Sequence, residues 1–451
     1  VLPMAMPGYV LTFVLLAQYG RGTTLQTSLL GDGFHLPGLK STWGAIAVLT
    51  AVLYPYVYVL GRSAFLGQSR QALEAARGMG RTYGQAVRQV ALPLARPALA
   101  AGAALAIMEA LADFGTVDLL GIQALPNAIY RMWNYDQDAA LQLATVLVGL
   151  ALTLVTVERA LRGRARYHQA LGRGDAVQPR RLRGWRGVLA AAPGALLLVA
   201  VFALPVAQMA AWAVEVVRAG TTTDDLGQIT WNTLLLGGVT VLVAVSTATL
   251  VAYGKRGSRS RVGRVLARLA TVGYAVPGTV VAVAVYGPLV WFDRHMVDVA
   301  ESFDRHIGLL TTGTILGVVL AYTVRFHALA FFSVEARMGR ISTDLDDAAR
   351  ALGADRARVL ADVHLPLLRP GLLTAALLVL VEVMKELPAT ALLRPLGRDT
   401  LAITVYEATK DSRLDAAALP ALLIVLAGLV PVILLVRSMR VDGWDSAAEG
   451  L

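Results

Sequence analysis

The sequence predicts an all-α polytopic membrane protein made of two tandem repeats, and three observations carry that reading. Of the 451 residues, 56% are hydrophobic and only 16% charged, and the mean hydropathy is +0.59; soluble domains run at about 25% charged and 45–50% apolar. The apolar excess lies in runs of about 20 residues, the length that crosses a hydrocarbon core of ~30 Å as a helix. The polar stretch 74–97, EAARGMGRTYGQAVRQVALPLARP, returns at 347–370 as DAARALGADRARVLADVHLPLLRP. The offset is 273 residues without a gap, and 11 of the 29 positions 74–102 match 347–375, against roughly two or three by chance. Such a self-match marks an internal duplication.

Ten spans are expected, at about 1–20, 42–63, 97–120, 139–158, 188–217, 231–253, 266–292, 312–334, 370–392 and 415–437. The first is interrupted by Pro7-Gly8. The first repeat is placed at 1–158 and the second at 188–451, joined by a linker, 159–187, that holds nine Arg. The net charge of +10 sits in short segments between spans. That is the pattern of membrane orientation and not of nucleic-acid binding. Loops 62–96, 159–187, 254–268 and 335–369 are rich in Arg and fall on one side with the C-terminus, which the positive-inside rule makes cytoplasmic. The linker is expected to lie near anionic lipid. The absence of cysteine excludes disulfides, thiolate metal sites and cysteine nucleophiles.

Pro7-Gly8 matches Pro277-Gly278 at an offset of 270. About 90 residues precede Pro277 in the second repeat and six precede Pro7. The expectation is that the first repeat lacks its first two spans and that a parent protein has twelve; a native ten-span protein is the alternative.

The repeated loop follows one spacing: an acid and two alanines (Glu74, Ala75, Ala76; Asp347, Ala348, Ala349), a glycine (Gly80; Gly353), then Leu-Pro (Leu92, Pro93; Leu365, Pro366). The alanines favour a helix, with the acid expected in its first turn at the positive end of the dipole. The glycine ends that helix by taking φ > 0. Leu-Pro is expected to stop or bend the next helix where it re-enters the membrane. The product is a short helix-turn-helix on the membrane face.

This pattern resembles the EAA loop of ABC importer permeases. The resemblance implies that the twelve loop residues named above couple the chain to a cytoplasmic ATP-binding subunit, one copy per loop. No Walker A motif is present, because the only Gly-Lys pair, Gly254-Lys255, is followed by Arg and has no Gly five residues earlier. ATP hydrolysis is therefore expected in a separate subunit, with no catalytic residue and no cofactor in this chain.

After each loop the next span carries acids in register: Glu109 with Glu382, and Asp113 with Glu386, each pair at i,i+4. Ionisable groups within a span are costly and face a cavity or a partner. They line a translocation path or gate, or else pair structurally with Lys385, Arg131 or Arg394. The loop 293–306 holds Asp293, His295, Asp298, Glu301, Asp304 and His306, but interleaved Arg294 and Arg305 make it an ordinary solvent-facing loop, and no metal site is expected. His364 is expected to pack or to face the partner.

The segments LPMAMPGYV (2–10), MEALADFGTVDLLG (108–121), IYRMWN (129–134) and KELPATALLRPLGRDTLAITVYE (385–407) are similar to the fused permease of ferric iron importers. That implies a type I importer fold and a periplasmic ferric-binding protein as a further partner. Related permeases carry thiamine, phosphonates, sulfate or polyamines. An ion-driven secondary transporter using the four acids as proton relays is the competing class, and parallel repeats argue against its inverted halves.

Overall fold

The computed structural model describes residues 2–19, 38–66, 70–162, 184–220, 225–257 and 260–438. Most of the basic linker, much of the 21–41 loop and the C-terminal 13 residues lie outside them. Nine helices among the described residues are long and apolar enough to cross a membrane. If each crosses once, span parity places the four Arg-rich connections on one side, as their charge predicts.

Of the tenth expected span, residues 2–19 are described. Pro7-Gly8 separates a 3-10 turn, Leu2–Ala5, from a helix of 12 residues, Gly8–Tyr19. That helix rises about 18 Å, too little for the ~30 Å core. The second repeat breaks in the same way, with the turn Val272–Ala275 followed by a helix that starts at Gly278. The span expected at 266–292 therefore starts later, and the residues before the break form a separate helix, Arg261–Leu269.

Leu-Pro does not stop the helices. The helical runs Tyr83–Ala112 and Arg356–Met384 are continuous and pass through π-turns at Val87–Ala91 and Val359–His364. Proline at the second position after such a turn lacks an N–H and would clash with the carbonyl four residues back. The wider turn avoids both problems: the Leu92 and Leu365 N–H groups bond five residues back, to Val87 and Leu360. A third instance, Val199–Ala203, precedes Leu204-Pro205 inside the span Trp185–Ala219.

Three segments expected as outer loops contain helix. Leu125–Trp133 and Leu401–Lys410 are buried in the assembly of spans, and Gly278–Glu301 runs through 293–301. Asp293 is buried, and its carboxylate accepts from the Thr312 N–H at 2.7 Å and the Thr311 hydroxyl at 2.8 Å. It pins the following turn.

The two repeats exchange partners. Gly8–Tyr19 packs on Leu401–Lys410 of the other repeat, and its counterpart Gly278–Glu301 packs on Leu125–Trp133 and Gln137–Arg162. Phe13, Tyr406 and Val425 share one core, while Ile129, Leu147 and Val283 share another. Trp133 meets Tyr286 edge-on at 4.6 Å. A third core, from Leu236 to Leu393, is built within the second repeat alone.

Candidate functional site

The repeated loops fold alike. Each is a nine-residue helix (Arg70–Gly78; Thr343–Ala351), a turn, and the start of a long span. Gly80 and Gly353 take φ +82° and +86°, the left-handed conformation that favours glycine. Thr82 and Asp355 cap the next helix by accepting from the Gln85 and Arg358 N–H groups. Met79 and Leu352, the residues just before each glycine, are 76% and 89% exposed, so both loops offer an apolar knob at the same place.

The acids do not sit where the dipole argument placed them. Glu74 and Asp347 are fifth in their helices, past the first turn. In the second loop Asp344 and Asp346 occupy that turn, behind the Ser342 cap. Asp347 pairs with Arg350 at 3.3 Å. Glu74, Ala75, Gly80, Asp347, Ala348 and Gly353 are exposed, Ala76 is buried, and Ala349 is half-buried. Leu92 and Leu365 are equally exposed, with Pro93 and Pro366 beside them on the long helices.

The second loop carries a buried ionic brace. Asp346 accepts from Arg256 Nε and bonds His364 Nε2, both at 2.8 Å, with all three side chains largely buried. Arg256 also donates to the Met338, Ile341 and Ser342 carbonyls. Tyr253 packs on the His364 ring and donates to the Arg356 carbonyl at 2.9 Å. Burial pushes the Asp346 carboxyl up, but the Arg256 and His364 bonds and charges outweigh it and hold it below its ordinary value. His364 thus packs inward. The matching positions in the first loop are Leu73 and Ala91.

The intramembrane acids converge. Seventeen residues of helix separate Leu92 from Glu109, about 26 Å at 1.5 Å per residue. Both long helices then end, at Ala112 and Met384, and short helices follow at Gly115–Leu119 and Pro388–Leu393. Asp113 and Glu386 therefore lie past the helix ends, and the i,i+4 spacing is not what unites each pair. A cavity of about 130 Å³ at this break is lined by Glu109, Asp113, Glu382 and Glu386, together with Arg325 and Lys385.

Asp113 accepts from the Thr116 hydroxyl at 2.9 Å and the Val117 N–H at 3.2 Å. Glu386 accepts from the Ala389 N–H at 3.1 Å and from Arg325 at 2.9 Å. Each carboxylate thus satisfies the start of the short helix after its break. The broken partner helices nest against them. A side chain at Gly8 would strike Thr116 and crowd Asp113, and one at Gly278 would strike Arg325 and Glu386.

Of the cations expected to pair with these acids, Lys385 does so, with Glu382 at 2.7 Å. Arg394 instead pairs with Asp399 and Glu407. The sequence reading missed Arg325, whose electrostatic neighbours are Glu386, Glu109 and Glu382. An arginine inside the apolar run Ile315–Met338 was the signal that could have found it. Among the described residues no three His, Cys, Asp or Glu side chains are grouped to hold a metal.

Residues 1–157 and 241–441 match the model of the binding-protein-dependent transport system inner membrane component family. The chain is 25% identical over 403 residues to an Fe(3+)-transport system permease protein of Haemophilus influenzae, covering 87% of this chain and 76% of that one. A permease protein of Haloferax volcanii named for molybdenum transport is 32% identical over 36% of this chain and 58% of its own length. One of Salmonella typhimurium named for 2-aminoethylphosphonate transport is 36% identical over 26% of this chain and 44% of its own. With the family model covering most of its length and nine spans behind two EAA-type loops, this chain belongs to the binding-protein-dependent inner membrane components: it is a multi-pass permease subunit of an ABC importer, not an enzyme.

Proposed function

We propose that this chain is the membrane path of a ferric iron importer. The observation that supports it best is the charge of the cavity: four carboxylates against two cations, formally −2, where the broken spans of both repeats meet. A cation is attracted there, whereas an oxyanion faces uncompensated carboxylate. That weighs against the molybdenum and phosphonate readings suggested by partial relatives. The long likeness to an Fe(3+)-transport permease points the same way.

In this reading the Arg-rich connections and both loops are cytoplasmic. The loops, through Glu74 to Gly80 with Leu92-Pro93 and Asp347 to Gly353 with Leu365-Pro366, each engage one copy of a separate ATPase. A periplasmic binding protein delivers cargo to the opposite face. ATPase closure is transmitted along the continuous helices from each loop to its break. A cationic organic cargo, thiamine or a polyamine, is the second reading, favoured by the same cavity charge.

The test is uptake by the reconstituted transporter with its ATPase and binding protein. Radioactive ferric ion is expected to enter in an ATP-dependent way, while molybdate and 2-aminoethylphosphonate are excluded. Uptake of either oxyanion without iron overturns the reading. Failure of the chain to co-purify with an ATPase subunit overturns the coupling assignment.

A further inference from the structure

The four acids are not equivalent. Asp113 and Glu386 are committed to the backbone of the short helices. Glu109 and Glu382 cap nothing. They hold the same repeat position and lie within electrostatic reach of each other and of Arg325. Tyr274 is an electrostatic neighbour of Glu109, and Lys385 pairs with Glu382 at 2.7 Å.

A second observation points to a ligand. Tyr9 lines the same cavity, is 5% exposed, and its hydroxyl has no hydrogen-bond partner. Glu386 and Tyr322 are among its electrostatic neighbours. A buried hydroxyl is normally paired, and this unpaired one belongs to a residue of the cavity wall. Both cations of the cavity come from the second repeat; the first has Val52 and Ala112 at the matching positions.

We propose that Glu109 and Glu382, with Tyr9 beside them, form a transit site for a hard multivalent cation, and that Lys385 is the resident counter-ion which that cation displaces from Glu382, while Arg325 stays on Glu386. The proposal rests on the importer reading above and deepens it. Without cargo, Lys385 holds Glu382, and Arg325, paired with Glu386, lies within electrostatic reach of Glu109 of the other repeat. Arriving cargo takes over Glu109 and Glu382 and frees Lys385 to rotate away. Carboxylates in a low-dielectric site are costly without a counter-charge, and this exchange leaves none uncovered, because Arg325 stays on Glu386. Lys385 is thus a gate that the cargo's own charge opens.

The test uses the complete transporter in proteoliposomes, with ferric ion loaded on the binding protein and ATP hydrolysis followed in parallel. Glu109→Gln and Glu382→Gln are each expected to lower iron uptake about tenfold while binding-protein-stimulated ATP hydrolysis stays within about twofold. Tyr9→Phe is expected to lower uptake about threefold. Uptake by the Glu109→Gln/Glu382→Gln double variant within about twofold of wild type overturns the proposal. Loss of ATP hydrolysis in step with uptake also overturns it, because the acids then serve only structure. Should the double variant fail to insert, Glu109→Asp and Glu382→Asp keep the charge and shorten the reach; uptake unchanged in both overturns the site. Wild-type proteoliposomes that carry an oxyanion and no iron refute the ferric reading itself, an outcome distinct from all of these.

Discussion

The two repeated loops share a backbone and differ at two positions that brace the second. Gly80 and Gly353 have nearly the same φ, both loops pass into their spans through a π-turn, and Met79 and Leu352 project at the same place. Yet Asp346, Arg256 and His364 lock the second loop to the end of the helix Leu226–Gly257, while the first loop has leucine and alanine at the Asp346 and His364 positions. The shared part is local chemistry, a glycine turn and a proline that demands a wide turn. The difference is long-range, because Arg256 is 90 residues from Asp346 in sequence. A duplicated motif thus keeps its shape for local reasons and acquires its rigidity from whatever packs on it.

The comparison is broken most sharply at Asp346. Asp346→Ala leaves Arg256 buried without its carboxylate, and loss of one member of a buried pair costs about 3–5 kcal/mol. Limited proteolysis is expected to cut within 343–358 of that variant, and equal resistance of variant and wild type would show the brace to be idle. Next in size are Gly80→Val and Gly353→Val. No atom lies within 4 Å of an added Cβ at either position, so the cost is conformational, about 1–2 kcal/mol. It should be the same in both loops, with ATP-driven uptake falling in each; a loss confined to one loop would mean that only that loop couples.

A pH series sharpens the contrast. Asp346 binds its proton less tightly in the folded loop than in the unfolded chain. Its stabilisation is therefore complete above the ordinary carboxylate value of about 4 and is lost as pH falls through the lower folded value. The amide protection factors of 343–358, taken relative to the intrinsic exchange rate at each pH, should fall on going from about pH 6 to about pH 3 more than those of 74–86. An equal fall would assign the effect to the whole protein. The smallest expected effect is Met79→Ala or Leu352→Ala, within about 0.5 kcal/mol on stability since both side chains are exposed. Each should nonetheless weaken ATPase binding to a similar degree, measured by co-purification.

Much of the fold was legible in the chain because its signals are local or periodic. Runs of apolar residues marked nine of the ten expected spans, and the 273-residue offset aligned the loops and the acids. The misses have one physical source. Short helices such as Gly115–Leu119 and Leu401–Lys410 are buried by neighbours from both repeats, so they need neither the length nor the uniform hydropathy of a span. The span ends slipped for the same reason, since a helix can break at Asp113 or Glu386 only where a side chain satisfies the freed N–H groups.

The site was half legible. Register picked out Glu109, Asp113, Glu382 and Glu386, and all four line one cavity. Their division of labour was not in the register: two carboxylates finish short helices, and two face Tyr274, Lys385 and Arg325. Tyr9 gave no signal at all, being one aromatic residue among many in an apolar stretch.

By itself, then, the sequence determined the membrane class, the duplication, the helix–glycine-turn–helix form of the repeated loops and the identity of the intramembrane acids. These depend on composition and on interactions within a few turns of chain. Only the tertiary structure decided that each broken helix also packs on the other repeat, that Asp346 is braced by Arg256 and His364, and that acids from both halves line one cavity with cations from one. Those features depend on which distant residues are brought within a few ångströms, and no repeat offset or hydropathy window carries that information.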